Sequence, residues 1–239
     1  MVQPVNKLRV KIFADGAEKA TMLELAALPY VQGFTTNPTL MRKANISDYA
    51  TFAKDVLRDI TDKPVSFEVF SDDFSDMERQ ARIIASWAAN VYVKIPITDT
   101  KKESSFALVQ RLSQDGIKLN VTAVLTPAQV QHIIPALSPE IPAIISIFAG
   151  RIADTGINPV PVMREIKQLL VPYPKHELLW ASSRELYNIY EAEEVGAEII
   201  TVTNDILKKL EKVGYDNDRL SLDTVQMFYD DGQKAGYTL

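Results

Sequence analysis

Hydrophobic and polar positions along this chain alternate between two kinds of segment. Short runs rich in β-branched residues predict strands at residues 8–14, 32–35, 65–70, 91–96, 118–124, 143–148, 177–181 and 198–202. Longer stretches with apolar residues at helical spacing lie between them, at residues 18–28, 48–61, 75–89, 103–114, 127–137, 160–170, 183–193 and 205–210. This alternation of strand and helix favours a parallel sheet of the α/β class.

The number of strand–helix units narrows the fold. Eight units predict closure into a (β/α)₈ barrel, the TIM-barrel fold, with residues 1–239 as a single domain and an extra C-terminal helix at about residues 221–236. A doubly wound open sheet is the alternative, and it usually has a glycine-rich turn after the first strand. That turn here reads Ala14-Asp15-Gly16-Ala17, without the glycine pattern. We therefore expect the barrel.

Composition limits the possible partners. The chain has 239 residues, a net charge of −5, no cysteine and two histidines. An acidic balance gives no reason to expect nucleic acid or an anionic membrane surface. The lack of cysteine excludes thiol catalysis and zinc–thiolate sites, and two histidines disfavour a histidine-rich metal site, whereas a carboxylate metal site stays open. No apolar run is long enough to span a membrane and no signal peptide is recognisable, so we expect a cytoplasmic protein.

Lys94 places one charged side chain in the apolar run Val91–Pro96. Because a strand alternates its faces, Lys94 points to the opposite side from Val93 and Ile95. If both faces are covered, the amine is desolvated and can act as a nucleophile that forms a Schiff base with a carbonyl. The alternative is a lysine on an edge strand whose ammonium group stays in water.

Two carboxylates also lie on predicted strands. Glu68 stands in the middle of an apolar run, where a carboxylate is rarely buried without a partner. Lys94, on the neighbouring strand, is the natural partner. Asp15 ends the first strand, and it either shuttles protons or caps the following helix.

Further polar residues follow the strands at the end where barrel enzymes place their chemistry. The second strand leads into Thr35-Thr36-Asn37-Pro38-Thr39, which belongs either to a site or to a turn. The fifth and sixth strands contribute Asn120, Thr122 and Ser146. Their amide and hydroxyl groups can bind sugar hydroxyls or hold a water molecule.

Arg151 and Arg184 follow the sixth and seventh strands, with Ser182 nearby. A guanidinium offers planar, bidentate donors suited to phosphate, and barrels often bind phosphate near their last strands. The alternative is surface arginines paired with helix carboxylates. Together with an amine among carboxylates, the set favours imine chemistry on a phosphorylated carbonyl compound.

With these motifs the chain resembles the transaldolase family, particularly its short members related to fructose-6-phosphate aldolases. The most specific matches are Thr35–Thr39 and the Val-Lys-Ile-Pro segment around Lys94. Further matching segments, in family order, are Ile12–Asp15, Asn120–Ala123, Phe148–Ile152 and Ala181–Arg184. The resemblance covers about residues 8–210 and implies a class I aldolase barrel that uses no metal and no other cofactor.

The resemblance also implies residue roles. Lys94 would form the Schiff base with a ketose carbonyl, and Asp15 would be the acid/base for carbon–carbon cleavage. Glu68 and Thr122 would hold and activate a water molecule. The substrate-binding residues would be Asn37, Thr36, Asn120, Ser146, Phe148, Arg151, Ser182 and Arg184.

The implied reaction is that of a transaldolase in the pentose phosphate pathway. A dihydroxyacetone unit would pass from sedoheptulose 7-phosphate or fructose 6-phosphate to glyceraldehyde 3-phosphate or erythrose 4-phosphate. The alternative is a fructose-6-phosphate aldolase, which releases free dihydroxyacetone. That subgroup has glutamine in place of Glu68 and tyrosine in place of Phe148, so both residues favour transfer. A third, remote alternative is a non-catalytic barrel that binds phosphosugars.

The predicted C-terminal helix carries much apolar surface, including Leu222, Val225 and Phe228. Such a helix packs either on its own barrel or on a neighbouring subunit. The resemblance implies a homo-oligomer, a pentamer or a decamer, whose ligands are small sugar phosphates.

Overall fold

Eight parallel strands form a closed barrel in a computed structural model that describes residues 3–238. The strands follow one another around the barrel in chain order, and the first strand pairs with both the second and the eighth. They are β1 (Lys11–Asp15), β2 (Val31–Thr35), β3 (Val65–Glu68), β4 (Val91–Pro96), β5 (Leu119–Val124), β6 (Ala143–Ile147), β7 (His176–Trp180) and β8 (Ile199–Thr203). The predicted (β/α)₈ barrel is confirmed.

Helices surround the barrel. They are α1 (Lys19–Ala26), α2 (Pro38–Lys43), α3 (Tyr49–Asp59), α4 (Phe74–Ala85), α5 (Phe106–Gln114), α6 (Pro127–Ile133), α7 (Ala149–Asp154), α8 (Pro159–Leu170), α9 (Asn188–Val195), α10 (Asn204–Leu207) and α11 (Asn217–Ala235). Short 3₁₀ helices occupy Val5–Lys7, Ile134–Ala136 and Lys208–Lys212. Within residues 3–238, no helix combines the length and the apolar composition that a membrane span requires.

Two helices were not predicted, α2 and α7. Each has six residues, which is too short to show a helical period. Local capping sets α2, because the Asn37 side chain accepts a hydrogen bond from the Leu40 amide at 3.0 Å and Pro38 occupies the first turn. Both helices begin directly after a strand and thus place side chains at the mouth of the barrel.

The core has two parts, as the strand alternation predicts. Val91, Val93 and Ile95 are buried between the strands and the helices. Tyr92 instead faces the barrel interior, where it packs with a second apolar cluster. That cluster contains Phe13, Ile144, Leu179, Ala181 and Ile199. The barrel interior next to Tyr92 is therefore filled by side chains.

The C-terminal helix α11 begins at Asn217, four residues before the predicted start, and none of its residues is buried. Its exposed apolar side chains are Leu222, Val225, Met227, Phe228 and Tyr229. In a single chain, these apolar side chains of α11 therefore remain exposed to solvent. A neighbouring subunit as the packing partner stays a prediction.

His176, at the start of β7, is a buried titratable residue. Its buried ring stacks on Tyr173, with ring centroids 5.4 Å apart, and its Nε2 lies 3.1 Å from the carbonyl oxygen of Ser138. The Nδ1 atom has no hydrogen-bond partner among residues 3–238. Burial lowers the pKa of His176 below its ordinary value of 6.5. The folded chain therefore resists a proton that the unfolded chain accepts.

We expect the free energy of unfolding to fall as the pH drops below about 6.5, with a contribution from His176 of at most about 1.4 kcal/mol per pH unit. Urea titrations near neutral pH and about one unit below 6.5 measure the effect, which should be smaller in His176→Gln. His132→Gln is the matched control, because His132 is exposed. An equal pH dependence in wild type and His176→Gln would contradict this expectation.

Candidate active site

A cavity of about 400 Å³ opens at the carboxyl ends of the strands. Nine of the twelve predicted site residues line it: Asp15, Asn37, Glu68, Lys94, Thr122, Ser146, Phe148, Arg151 and Ser182. Thr36, Asn120 and Arg184 do not. Other lining residues are Thr35, Pro38, Thr39, Leu40, Ala123, Leu179, Ala181 and Thr201. The barrel thus brings together, from seven different strands or the turns after them, most of the side chains that the sequence indicated.

Lys94 lies at the floor of this cavity and is 6% exposed. Its Nζ is 2.9 Å from Oε2 of Glu68 and donates a hydrogen bond to the carbonyl oxygen of Thr36, also at 2.9 Å. Strand pairing dictates this contact, because Glu68 is the register partner of Lys94 in β3. β4 is paired on both sides, so the alternative of an edge-strand lysine with a hydrated head is wrong.

Asp15 lies in the same cavity at the end of β1. Its Oδ1 accepts a hydrogen bond from the Thr35 hydroxyl at 2.8 Å, and the Thr35 hydroxyl also contacts that of Thr201. Burial raises the pKa of Asp15, although the charge of Lys94 and the bond from Thr35 oppose the shift. The capping alternative for Asp15 is wrong, because Glu18 occupies the N-cap position of α1. A carboxyl group with a raised pKa is suited to exchanging protons with a substrate.

An irregularity in β5 shapes the cavity wall at Thr122. The pairing of β5 with β6 shifts between Val121 and Val124, and Ala123 has a φ of 61°, in the left-handed region. This bulge turns Thr122 and Ala123 both toward the cavity. The Thr122 hydroxyl is buried and has no hydrogen-bond partner in the described part of the chain. Such a hydroxyl is a position where a water molecule or a substrate oxygen can bind.

Thr36 and Asn120 lie behind the cavity wall, where they support it. The Asn120 amide donates to the Ser66 hydroxyl at 3.1 Å, and its oxygen accepts from the Ser146 hydroxyl at 2.6 Å. The Thr36 hydroxyl donates to the carbonyl oxygen of Ser66 at 2.9 Å. Both side chains are fully buried. Asn120 thus orients Ser146, and Thr36 supplies the carbonyl oxygen that Lys94 binds. Direct contact with a substrate stays a prediction for Thr36 and Asn120.

The two arginines differ in their surroundings. Arg151, the third residue of α7, lines the cavity, stacks over the Phe148 ring at 5.5 Å, and forms no ion pair with the residues that the structure describes. Arg184 pairs through two nitrogens with Asp154, and its Nη1 donates to the Ser182 hydroxyl at 3.0 Å. The alternative of pairing with a helix carboxylate therefore applies to Arg184. Of the two arginines, Arg151 is therefore the one available to an anionic ligand.

Gly150 allows α7 to approach the strand ends closely. Its amide donates to the carbonyl oxygen of Ala181 at 3.3 Å, and a Cβ at this position would lie 1.6 Å from the Ser182 carbonyl oxygen. Ser182 itself has a φ of 64°. No residue with a side chain fits here without moving the backbone, so glycine is what brings Arg151 next to Ser182.

We expect Gly150→Ala to lower the free energy of unfolding by about 3 kcal/mol or more, because the new methyl group collides with backbone atoms. Denaturant unfolding measures the change. Gly232→Ala in α11 is the control, since a Cβ there meets nothing within 4 Å and alanine favours a helix interior. A loss below about 1 kcal/mol in Gly150→Ala would contradict the close approach.

Reasoning from the sequence gave Thr35 no role of its own and did not single out Thr201, although Thr35 binds Asp15 and Thr201 contacts the Thr35 hydroxyl. Both are hydroxyl residues at inward positions of apolar strands, the same signal that indicated Glu68. The signal is weaker for threonine, because threonine is common in strands for reasons of shape. Only the closed barrel shows that β1, β2 and β8 meet at these residues.

Comparisons with known proteins show which family the chain resembles. The sequence matches the family described as Transaldolase/Fructose-6-phosphate aldolase over residues 12–238. A probable transaldolase 2 of Listeria monocytogenes is 35% identical over 202 residues, which cover 84% of this chain and 88% of that protein. A probable transaldolase of Bdellovibrio bacteriovorus is 33% identical over 227 residues, which cover 95% and 99%.

A solved structure described as "Native KDPGal structure" has the same fold, with a TM-score of 0.55. The similarity covers 81% of this chain and 82% of that one, at 9% sequence identity, and it concerns the fold alone. The extensive matches in sequence go further than the fold. On their basis, the chain belongs to the transaldolase/fructose-6-phosphate aldolase family.

Proposed function

We propose that this protein is a transaldolase that transfers a dihydroxyacetone unit between sugar phosphates through a Schiff base on Lys94. The donor is sedoheptulose 7-phosphate or fructose 6-phosphate, and the acceptor is glyceraldehyde 3-phosphate or erythrose 4-phosphate, the reaction of the pentose phosphate pathway. The observation that carries the proposal is a buried amine 2.9 Å from Glu68, in one cavity with Asp15.

The first half of the reaction forms the covalent intermediate. The Lys94 ammonium passes a proton to Glu68, and the free amine attacks C2 of the ketose. The resulting carbinolamine loses its oxygen as water, a step for which Glu68 and the unpartnered Thr122 hydroxyl are suited. Asp15 then takes the proton of the C4 hydroxyl. The C3–C4 bond breaks, its electron pair moves into the protonated imine, and an aldose phosphate leaves.

The second half reverses these steps with another aldose. The three-carbon enamine on Lys94 attacks the aldehyde carbon of the acceptor, and Asp15 returns the proton to the new hydroxyl. Water then hydrolyses the imine and regenerates the amine. Covalent transfer of this kind gives ping-pong kinetics. Arg151 and Ser182 at the cavity rim bind the phosphate. Arg184 can also reach the phosphate if its guanidinium leaves Asp154.

The ratio of dihydroxyacetone transfer to release of free dihydroxyacetone distinguishes the proposal from a fructose-6-phosphate aldolase. The carboxylate of Glu68 and the phenyl ring of Phe148, which offers no hydroxyl to a water molecule, both favour transfer over net cleavage. With fructose 6-phosphate and erythrose 4-phosphate we expect transfer to exceed release of free dihydroxyacetone by about tenfold or more. Release at a comparable rate would favour the aldolase. Saturable binding without turnover of any ketose phosphate would instead favour a non-catalytic barrel.

We also propose a homo-oligomer, a pentamer or a decamer, in which α11 packs on a neighbouring subunit. The proposal rests on the exposed apolar residues Leu222, Val225 and Phe228, which recur on one side of the helix. Light scattering should give a mass several times the chain mass of 26.7 kDa. Phe228→Asp should lower that mass, and Gln226→Glu, an exposed change on the same helix, should not. A wild-type monomer would contradict this proposal.

A further inference from the structure

The barrel has a gap between β2 and β3 next to the proposed site. β3 is a strand of four residues, and β2 pairs with it only at Val65 and Ser66. The last backbone contact across this seam runs from the Thr36 amide to the Ser66 carbonyl oxygen at 3.0 Å. After Thr36 the chain turns away into α2. At Glu68, therefore, β3 has no β2 peptide beside it.

Glu68 directs both of its backbone polar groups into this gap. In a parallel sheet, the amide and the carbonyl of one residue face the same neighbouring strand, and alternate residues share that direction. Ser66 faces β2, whereas the amide of Val69 bonds to β4 through the Lys94 carbonyl oxygen at 3.2 Å. The Glu68 amide and carbonyl thus need a partner other than a strand, because unpaired buried backbone groups are costly.

The Tyr49 hydroxyl supplies that partner. It donates a hydrogen bond to the Glu68 carbonyl oxygen at 2.9 Å and accepts one from the Glu68 amide at 2.9 Å. One hydroxyl therefore replaces a whole peptide group of the missing strand. Tyr49 does not line the cavity, and its hydroxyl reaches the site through the backbone of Glu68.

The Tyr49 side chain is held firmly in this position. Tyr49 is the first residue of α3. Asp48 caps this helix, because its side chain accepts a hydrogen bond from the Thr51 amide at 2.9 Å. The ring makes edge contacts with Phe67 at 6.2 Å and Phe70 at 5.5 Å between centroids. Burial raises the pKa of the Tyr49 phenol. The hydroxyl therefore keeps its proton and remains a donor at neutral pH.

We propose that Tyr49 is a positioning residue for the reaction, which holds the end of β3 so that the Glu68 carboxylate stays opposite the Lys94 amine. The proposal rests on the proposed function, in which Glu68 exchanges protons during formation and hydrolysis of the Schiff base. A tyrosine that only sealed the barrel wall would stabilise the fold but leave the chemistry unchanged. The two roles differ in what they predict for the coupling between Tyr49 and Glu68.

Tyr49→Phe removes the hydroxyl and keeps the ring in its aromatic surroundings. We expect kcat for dihydroxyacetone transfer to fall about tenfold, with KM within about twofold of wild type, because substrate contacts remain while a reacting group is displaced. In a Glu68→Gln background the same change should lower kcat by less than about twofold, since Tyr49 acts through the Glu68 carboxylate. An unchanged kcat in Tyr49→Phe, or an equal fold-loss in both backgrounds, would overturn the proposal.

Trp87→Phe is the matched control. Trp87 packs on Tyr49 at 6.1 Å and on Phe67 at 5.7 Å, yet it makes no hydrogen bond to Glu68 among the described residues. We expect this variant to lower the melting temperature and to leave kcat within about twofold of wild type. A loss of kcat as large as that of Tyr49→Phe would show that packing of the cluster, and not the hydroxyl, supports the site, and would overturn the proposal.

A second readout does not need the proposed substrate. The rate at which trinitrobenzenesulfonate labels Lys94, followed by peptide mass spectrometry, reports whether a carboxylate holds the ammonium. Glu68→Gln and Tyr49→Phe should each raise this rate, by about threefold or more, because the partner is lost or displaced. A rate unchanged in Tyr49→Phe would overturn the proposal even if Glu68→Gln labels faster. If wild-type protein turns over no ketose phosphate, the proposed function fails, and the labelling rates still decide whether Tyr49 positions Glu68.

Discussion

Lys94→Met is expected to lower kcat/KM for dihydroxyacetone transfer by about 10⁴-fold or more, because the covalent intermediate cannot form without the amine. Methionine approximates the length of the lysine stem and fills its space in the barrel interior. The other inward-facing lysines, Lys11 and Lys118, belong to the opposite end of the barrel: Lys11 pairs with Glu177, and Lys118 lies over Tyr92 at 5.7 Å. Neither can substitute for Lys94. Coupled assays of fructose 6-phosphate turnover measure the loss.

Lys118→Met is the control for this change. Lys118 lies directly before β5, the strand that carries Asn120 and Thr122. Among the described residues, its Nζ donates a hydrogen bond only to the Ala89 carbonyl oxygen, at 2.9 Å. We expect its kcat/KM to stay within about threefold of wild type. Circular dichroism verifies that both variants are folded, which matters because Lys94→Met leaves Glu68 without its cation. Normal transfer by folded Lys94→Met would exclude the Schiff-base mechanism at this residue.

Asp15→Asn is expected to lower kcat by about 10²- to 10⁴-fold while the Schiff base still forms. Asparagine still accepts the Thr35 hydrogen bond but cannot take up the proton of the C4 hydroxyl. Cleavage therefore stops after the imine. Borohydride should then trap the uncleaved sugar on Lys94, where wild type yields the three-carbon unit. A kcat within about threefold of wild type would contradict the role of Asp15, and so would the loss of all trapping.

The pH profile provides a separate check of Asp15. Because burial raises its pKa, the acid limb of kcat/KM should lie above the ordinary carboxyl value of 3.8. Thr35→Val removes a hydrogen bond that stabilises the carboxylate, so it raises the pKa further. The base form of Asp15 is then lost at a higher pH, and the acid limb should move upward. A limb that does not move, or moves downward, would contradict this assignment.

Most of the fold follows from local pattern. Each strand buries apolar residues on its outer face, so periodicity located all eight strands, and the closed order places Glu68 beside Lys94 by register alone. The inward side chains of parallel strands necessarily meet at one mouth, which is why the predicted strand residues Asp15, Glu68, Lys94 and Ser146 share one cavity. This part of the site required no knowledge of the loops.

The remaining part of the site depends on backbone detail that periodicity does not encode. The left-handed residue Ala123 creates the bulge at Thr122, although alanine is not a turn signal. The pairing of Arg184 with Asp154 depends on the six-residue helix α7. Tyr49 reaches Glu68 across nineteen residues of sequence and fills a gap that exists only because β2 ends early. Such contacts arise from tertiary packing and leave no short-range signature in the sequence.

Borohydride trapping with fructose 6-phosphate, followed by peptide mass spectrometry, tests the central claim most directly. The proposed mechanism predicts a reduced three-carbon adduct on Lys94, because the amine attacks C2 and the C3–C4 bond breaks before reduction. The mass of the adduct identifies the bond that is cleaved, and the labelled peptide identifies the nucleophile. The absence of any adduct on Lys94, from folded protein offered several ketose phosphates, would contradict the mechanism.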